Sequence, residues 1–589
     1  MNQKHIVTTA LKEVKGKNNF DTLFLGGWCL NSQTDLDSIK RFSVLPYHWN
    51  DRAKLHKDYL FLQEVYEEFL QLLSANLNKI HGVNFSLRYW RIVIGPWLNI
   101  FIPVLFDRFS MLEIAFSDDS ITNFTKLEIS NDYEFPVDMD SFIEKIGDDL
   151  WNQLIYQDLI DRFYQDKHKL KNDIVKYDYI CNNSHKFTLK EYLKKALTRL
   201  SSIFSQEDEP FLLSTNLGWA RLFLLQFHLK IFPRFWFKQK INPDQYVQIE
   251  RSDILKNSRD HTKFYTVLNY MIQKHMPRSY LETYQGLRSQ VKKLGWPDKP
   301  KSIFTCDAYA FDELFKLWTA EKVEEGSKLL IGQHGGNYGI DLFNADEEHV
   351  ISISDSFLTW GWNKEINELK LEEDNKVYPF GIFTNLTKKV GYKPDGNLLF
   401  VSTNMPRYSY RMLSIPVSSQ WSSYFGYQLS FIESLPNEIK DKTLLRRFKE
   451  DYGRDEQRRW LEGFPQLKID NGRKAIGNLY SQSRLVVHSY NATSFLETLY
   501  LNIPSVMFWD LELWEIRSES LIYFEELSNV GIFHKTPQSA STHVDEIWGD
   551  IERWWHSAEV QKARKTFCEK YAKEVSPFEL GLAKKLRNS

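Results

Sequence analysis

Two short segments of this chain hold side chains whose type and setting suit acid–base and anion-binding chemistry. The first is Gln333-His334-Gly335-Gly336, a histidine on a glycine-flanked turn directly after the apolar run Leu329-Leu330-Ile331. An imidazole there titrates near neutrality and can serve as base, acid or donor to a phosphate, and the glycines let a substrate come close. Asp307 follows Ser302-Ile303-Phe304-Thr305 in the same manner and is the partner carboxylate that could remove a hydroxyl proton; it could equally cap a helix beginning near Ala308. The second segment is Ser489-Tyr490-Asn491-Ala492-Thr493-Ser494, a polar bend between the strand ending at His488 and a helix. Its hydroxyls and free backbone N–H groups would face an anion along the helix axis, where the dipole favours negative charge. An ordinary Ser/Thr N-cap is the other reading, and Glu497 either completes a capping box with Ser494 or accepts hydrogen bonds from ribose hydroxyls one turn in.

Ser402 and Thr403 end another apolar run and join this donor-side set, with Arg407 in the loop just after them. Guanidinium groups suit a diphosphate or a sugar carboxylate because they bind bidentately. Of Arg407, Arg411, Arg446, Arg447, Arg458 and Arg459, position 407 is preferred for its place immediately after a strand. On the acceptor side, Gly26 and Gly27 end the strand 22–25 with a backbone that a ligand can approach. Gln333 and Gly335 belong with them.

The elements that must position these groups read as two α/β units. Strand 302–305, a helix from Phe311 to Glu324 and strand 328–332 form a βαβ unit, hence a parallel sheet. In open sheets of that kind ligands lie beyond the carboxyl ends of the strands, where Asp307 and His334 sit. Further strands at 357–360 and 376–381 close an N-terminal domain of residues 1–385, and 386–397 is a linker. Strand 398–403 opens a C-terminal domain of residues 398–556, and 557–589 is a charged helix packing back on the N-terminal domain. Residues 110–300 read as a mostly helical insertion. Within it FHLKIFPRFWFKQK, residues 227–240, mixes aromatics with cations; it reads either as a membrane-surface patch or as core with snorkelling bases.

Composition limits the classes. The 589 residues exceed what one hydrophobic core holds, and 42 % hydrophobic with 26 % charged residues is ordinary for a folded globular protein. A formal charge of −2 provides no global basic field, so nucleic acid is not an expected partner. The four cysteines, Cys29, Cys181, Cys306 and Cys568, form no CxxC pair; His185 near Cys181 lacks further ligands, so neither a disulfide framework nor a metal site is expected. The N-terminus lacks a signal-peptide h-region, and no uninterrupted run of ~18 apolar residues occurs, which places the protein in the cytoplasm.

Four segments together carry a resemblance: Gln333-His334-Gly335, Pro379-Phe380-Gly381, Leu399-Phe400-Val401-Ser402-Thr403 and the block Val486 to Phe508. Their order resembles bacterial surface-polysaccharide transferases of GT-B type, among them Kdo transferases, polysialyltransferases and teichoic-acid glycerophosphotransferases. Leu45-Pro46-Tyr47-His48-Trp49 and Leu87-Arg88-Tyr89-Trp90 are similar to a poorly characterised family of bacterial transferases linked to O-antigen and nonulosonic acid genes. The resemblance implies two Rossmann-like domains facing a cleft. It also implies metal-independent, inverting transfer from a CMP-linked nonulosonate or Kdo to a surface glycan or lipid-linked glycan, with the nucleotide sugar as substrate, no cofactor, and peripheral membrane association at the inner face of the inner membrane. His334 carries over from the Gln-His-Gly motif, and Ser489, Thr493 and Ser494 from the donor turn. The chain departs from those relatives in having Ser489-Tyr490-Asn491-Ala492 where paired serines are common, and in lacking a His-Pro pair. The alternatives are CDP-alditol phosphotransfer on the same fold and a non-catalytic partner in a glycan-assembly complex.

Overall fold

The computed structural model describes residues 3–15, 21–30, 41–129, 135–179, 189–204, 206–242, 245–255, 262–364, 376–386 and 390–589. Three parallel sheets follow one another along the chain. The first holds β1 (Lys4–Val7), β2 (Asp21–Phe24), β3 (Phe42–Val44), β4 (Ile121–Ile129) and β5 (Lys171–Tyr177) in the order β3-β2-β1-β4-β5. The second holds β6 (Phe211–Leu212), β7 (Ser302–Thr305), β8 (Lys328–Gly332), β9 (Ser356–Thr359) and β10 (Val377–Pro379), ordered β10-β9-β8-β7-β6. The third, β11 (Asn397–Val401), β12 (Thr443–Arg446), β13 (Lys468–Asp470), β14 (Ser483–His488), β15 (Ser505–Phe508) and β16 (Phe533–His534), runs β13-β12-β11-β14-β15-β16.

That last order is the doubly wound one, and its direction reverses between β11 and β14. Ligands of such sheets lie outside the carboxyl ends of the strands at the reversal, here the loops beginning at Ser402 and Ser489. The central strands β7, β9 and β15 are buried at every residue, as parallel strands covered on both faces must be. The protein is thus α/β and GT-B-like, with the third sheet facing the N-terminal half across a cleft.

The N-terminal half differs from the expected single domain with a helical insertion. Residues 110–300 do contain helices, but they also supply β4 and β5 to the first sheet and β6 to the edge of the second. These strands lack the apolar runs by which a central strand is read: β5 is KNDIVKY, with no fully buried residue, and β6 has two residues. Both lie at sheet edges, where little apolar surface is needed.

Two long antiparallel helices, α1 (Arg52–His81) and α2 (Leu87–Ala115), pack against each other and join the sheets. Asp51 and Ser86 cap them, accepting from the N–H groups of Lys54 and Tyr89. α2 is long and apolar enough to cross a bilayer, yet 94 % of that stretch is buried within the protein, so it is a core pillar. At the other end of the chain, helix Phe578–Asn588 lies on helix Trp219–Leu229 of the N-terminal half, with Glu579 accepting from Arg221 at 2.5 Å.

Candidate active site

The cleft encloses about 600 Å³. One wall is the His334-Gly335-Gly336-Asn337-Tyr338 turn after β8, with Tyr309 and Asp346; the opposite wall is Thr403 to Pro406 and Ser409 to Arg411 after β11 and Tyr490 to Thr493 after β14. Pro96, Asn99 and Ile100 of α2 form its floor. The carboxyl ends of strands from two different sheets therefore open on one cavity. Tyr490, Asn491, Thr493, Thr403, Gly335 and His334 all line it.

His334 is accessible from the cavity but surrounded by protein, which desolvates its imidazolium and holds its pKa below the ordinary value; Asp307 and Asp346 oppose that shift and Arg411 reinforces it. Its ring meets Tyr338 edge-on at 5.5 Å. At neutral pH the imidazole is consequently the neutral form, able to accept a proton. Asp307 precedes helix Ala308–Phe311 but does not cap it. Thr305 Oγ1 accepts from the Ala308 N–H at 3.0 Å instead, so the cap reading of Asp307 fails. Its carboxylate acts on His334 through space and is not part of the cavity lining.

Helix Thr493–Leu501 has Ala492 at its N-cap position, with no side-chain cap. Its first N–H groups lack the partner that a Ser/Thr cap would provide, and Ala492 and Thr493 face the cavity. Ser494 completes no capping box with Glu497, because the helix begins one residue earlier. Across the cleft, Gly336 N–H donates to Thr493 Oγ1 at 2.9 Å. A Cβ at 336 would lie 2.5 Å from the Thr493 nitrogen, so only glycine permits this approach of the two loops.

Several expected site residues are instead committed to packing. Arg407 is buried, pairs with Asp149 of the first sheet's helical layer at 2.5 Å, and donates to the carbonyls of Trp28 and Tyr452. It joins lobes and does not face the cavity. The guanidinium that does is Arg411, four residues on, 3.8 Å from Asp346 and over the Tyr410 ring. His488 is fully buried between Ser494 Oγ and Thr498 Oγ1, both at 3.0 Å, and burial pushes its pKa down to about 3. Ser489 shares its hydroxyl with Tyr424 and the Val401 carbonyl, and Ser402 donates to the Arg446 carbonyl. Ser494 donates to Tyr490 Oη at 3.1 Å. None of these four lines the cleft.

On the acceptor side, Gln333 is a staple: its amide nitrogen donates to the Gly335 carbonyl, while its amide oxygen accepts from the Trp360 N–H and the Trp362 indole. Gly26 and Gly27 lie beside Trp28, whose carbonyl takes Arg407; the turn Gly27–Cys29 packs against residues 418–420 of the C-terminal lobe, and neither glycine lines the cavity. Glu497 sits behind the cavity wall. Thr384 Oγ1 donates to it at 3.1 Å, no cation among the described residues pairs with it, and burial pushes its carboxyl up to about 7. Of the expected ligands, Tyr490, Asn491, Thr493 and Thr403 remain on the donor wall.

The sequence reading missed Asp346. It lies in the first turn of helix Ala345–Ile353, in a run Asp346-Glu347-Glu348 whose evident purpose is to complement the helix dipole. Glu347 is held by Arg517 at 2.6 Å and Glu348 by Lys364 at 3.1 Å, whereas Asp346 faces the cavity with Arg411. Among the described residues no group of three or more His, Cys, Asp or Glu side chains converges as a metal site. Cys181 and His185 lie outside the described residues.

No curated protein matches the chain. Solved structures with some likeness include WaaG, a glycosyltransferase involved in lipopolysaccharide biosynthesis, at 13 % identity over 64 % of this chain and 98 % of that one, with a TM-score of 0.27. The spinosyn rhamnosyltransferase SpnG is 10 % identical over 52 % of this chain and 77 % of its own, with a TM-score of 0.26. A family model matches residues 4–586, and by it the chain, with its two-walled cleft, belongs to the LIC12162 family of transferases.

Proposed function

We propose that the cleft is a glycosyltransferase site that moves a nonulosonic acid or Kdo from a CMP-activated donor to a hydroxyl of a bacterial surface glycan. The reading places the reaction in the cytoplasm and has it invert the anomeric centre without a metal. The observation that carries it is the shared cavity: a neutral histidine from one sheet faces an uncapped helix N-terminus from another. In this reading the donor phosphate rests against the N–H groups at Ala492 and Thr493. Arg411 meets the sugar carboxylate or the phosphate. The acceptor oxygen attacks the anomeric carbon as the anomeric C–O bond to CMP breaks. Its proton passes to His334, whose imidazolium Asp307 and Asp346 stabilise, and the departing charge is met by the helix terminus and Arg411.

The test is a donor panel. Purified protein incubated separately with CMP-Kdo, a CMP-nonulosonate, CDP-glycerol and UDP-glucose, each with a glycan acceptor, should release CMP and extend the acceptor by a sugar with one of the two CMP-linked sugars and leave the other two donors unused. Release of CMP with transfer of glycerol phosphate would instead assign P–O cleavage and refute sugar transfer. Thermal stabilisation by UDP but by neither CMP nor CDP would refute the cytidine assignment.

A further inference from the structure

The donor wall owes the place of its cation to the other half of the protein. Residues 402–412 form neither helix nor strand, so no ladder of main-chain bonds fixes them. Two carbonyls flank the apex Tyr410-Arg411, and both are held from the N-terminal half. That of Ser409 accepts from Arg108 Nη1 at 2.9 Å. That of Met412 accepts from the Ala345 N–H at 3.1 Å, and the Ala345 carbonyl in turn takes Asn99 Nδ2 at 3.3 Å. Arg108 and Asn99 both lie on α2. The C-terminal lobe itself holds Ser409 by a longer bond, from the Ser418 N–H to its Oγ at 3.3 Å. Tyr410 and Arg411, between the two anchors, line the cavity.

Arg108 is fully buried, and its Nη2 has no hydrogen-bond partner among the described residues. It pairs with Asp107, donates from Nε to Asn152 Oδ1 at 3.0 Å, and lies 5.4 Å from the centre of the Tyr408 ring. Behind it stands His48, from the segment Leu45-Pro46-Tyr47-His48-Trp49. Lys54 Nζ donates to His48 Nδ1 at 3.2 Å, so the Nε2–H of His48 donates to Asp107 Oδ1, at 2.9 Å. A line of polar contacts thus runs from Lys54, half-buried at the start of α1, to the wall of the cavity. Apolar side chains packed in place of a buried ion pair give equal or greater stability, so folding alone does not call for a buried arginine with an unanswered nitrogen. What this arginine does that an apolar side chain cannot is hold the carbonyl two residues before Arg411.

We propose that Arg108, oriented by Asp107 and His48, is a positioning residue for Arg411 and aims its guanidinium at the anion of the donor. The proposal rests on the reading of Arg411 as the cation that meets that anion. A cation fixed before charge develops needs no reorganisation, and a displacement of about 1 Å at such a group can cost ~10²-fold.

Two measurements on the full-length protein test this, one of them without ligand. In D107N/R108M the amide at 107 still accepts from His48 and the thioether fills the place of the arginine stem, so the thermal midpoint should change little. Amide hydrogen exchange in residues 409–412 should nevertheless quicken at least about tenfold. R108K keeps the ion pair but lacks the planar fork that reaches Asn152 and Ser409 together, and should loosen the same segment. CMP binding should weaken about ten- to hundredfold in D107N/R108M. Adding R411A to that variant should weaken it less than about threefold further, because both changes remove one interaction. Unchanged exchange in residues 409–412 in both variants, or a full R411A effect on top of D107N/R108M, would overturn the proposal. So would faster exchange throughout the protein with a lowered midpoint in both variants, which would assign Arg108 to stability alone. A wild type that binds neither CMP nor CDP would refute the donor reading instead, and the exchange comparison, which needs no ligand, is decided separately from it.

Discussion

Glu497 is a carboxyl held above its ordinary range by burial, and replacing it with glutamine should stabilise the protein in a pH-dependent way. The amide keeps the shape and the bond from Thr384 Oγ1, but removes a charge that no cation among the described residues answers. Lifting a carboxyl from 4.5 to about 7 amounts to roughly 3.5 kcal/mol, at ~1.4 kcal/mol per tenfold. Because the folded pKa is the higher one, the burden is absent below about pH 4.5, where the group is protonated in both states. It grows as the unfolded chain ionises first, and is complete once pH exceeds about 7, where the folded group ionises as well. Roughly 2.5 kcal/mol of the difference should develop between pH 5 and pH 8. The assay is thermal unfolding of wild type and E497Q across that window, followed by a probe in the C-terminal lobe. E497Q should melt higher at pH 8, and the gap should shrink toward pH 5. A gap that does not change with pH, or a variant that melts lower at pH 8, would refute the argument that an uncompensated buried carboxylate resides there.

The cleft gives three further expectations. H334A should lower turnover by about 10²–10⁴-fold with little change in melting, because the side chain faces the cavity; surviving turnover in a donor assay would count against its role. The two arginines should separate cleanly: R411A should weaken nucleotide or donor binding by about 1.5–3 kcal/mol at unchanged stability. R407A should instead cost about 3–5 kcal/mol of stability by leaving Asp149 buried without its cation, as read by thermal denaturation. Finally, G336A should depress both stability and activity, because its Cβ meets the backbone at Ala492 and Thr493; G335A meets only the Thr493 hydroxyl, at 3.1 Å, and should be milder.

The sequence discloses strands where burial on both faces forces an apolar run, which is why β7, β8, β11, β14 and β15 and the turns after them are legible. It hides strands that lack such a run. β4 is interior and largely buried but its apolar residues are separated by Thr, Asn and Lys, β5 is a polar edge strand and β6 is two residues long, so three strands are concealed in a stretch that reads as helical. The same physics governs the site. Local pattern shows which turn faces a cleft, but not which side chain on the turn has spare hydrogen-bonding capacity. Arg407 and Arg411 share a loop, and only three-dimensional proximity to Asp149 decides that the first is spent. Ser489 and Thr493 share a bend, and Tyr424 decides for Ser489. Gln333 and His334 are adjacent, and the two tryptophans just after β9 capture Gln333.

These spent groups explain how the cavity is held. Arg407, which looks like a ligand, belongs to one of several polar pairs that form much of the seam between the lobes. Arg407 holds Asp149, and Asn491 donates to Asp341 at 3.1 Å. Arg517 holds Glu347 at 2.6 Å, and Arg52 holds Glu515 at 2.5 Å. Main-chain bridges add to them, pairing Asp341 with Ile516 and Asn344 with Leu413. Breaking a buried pair by separating its partners costs several kcal/mol, and opening the lobes wide would break several at once. A cleft tied this way is formed before substrate arrives, so its donors need no reorganisation when charge develops on a leaving phosphate. Gly336 is the point where both demands meet: its missing side chain lets the seam close, and its closure sets His334 and the free helix terminus on opposite sides of one cavity.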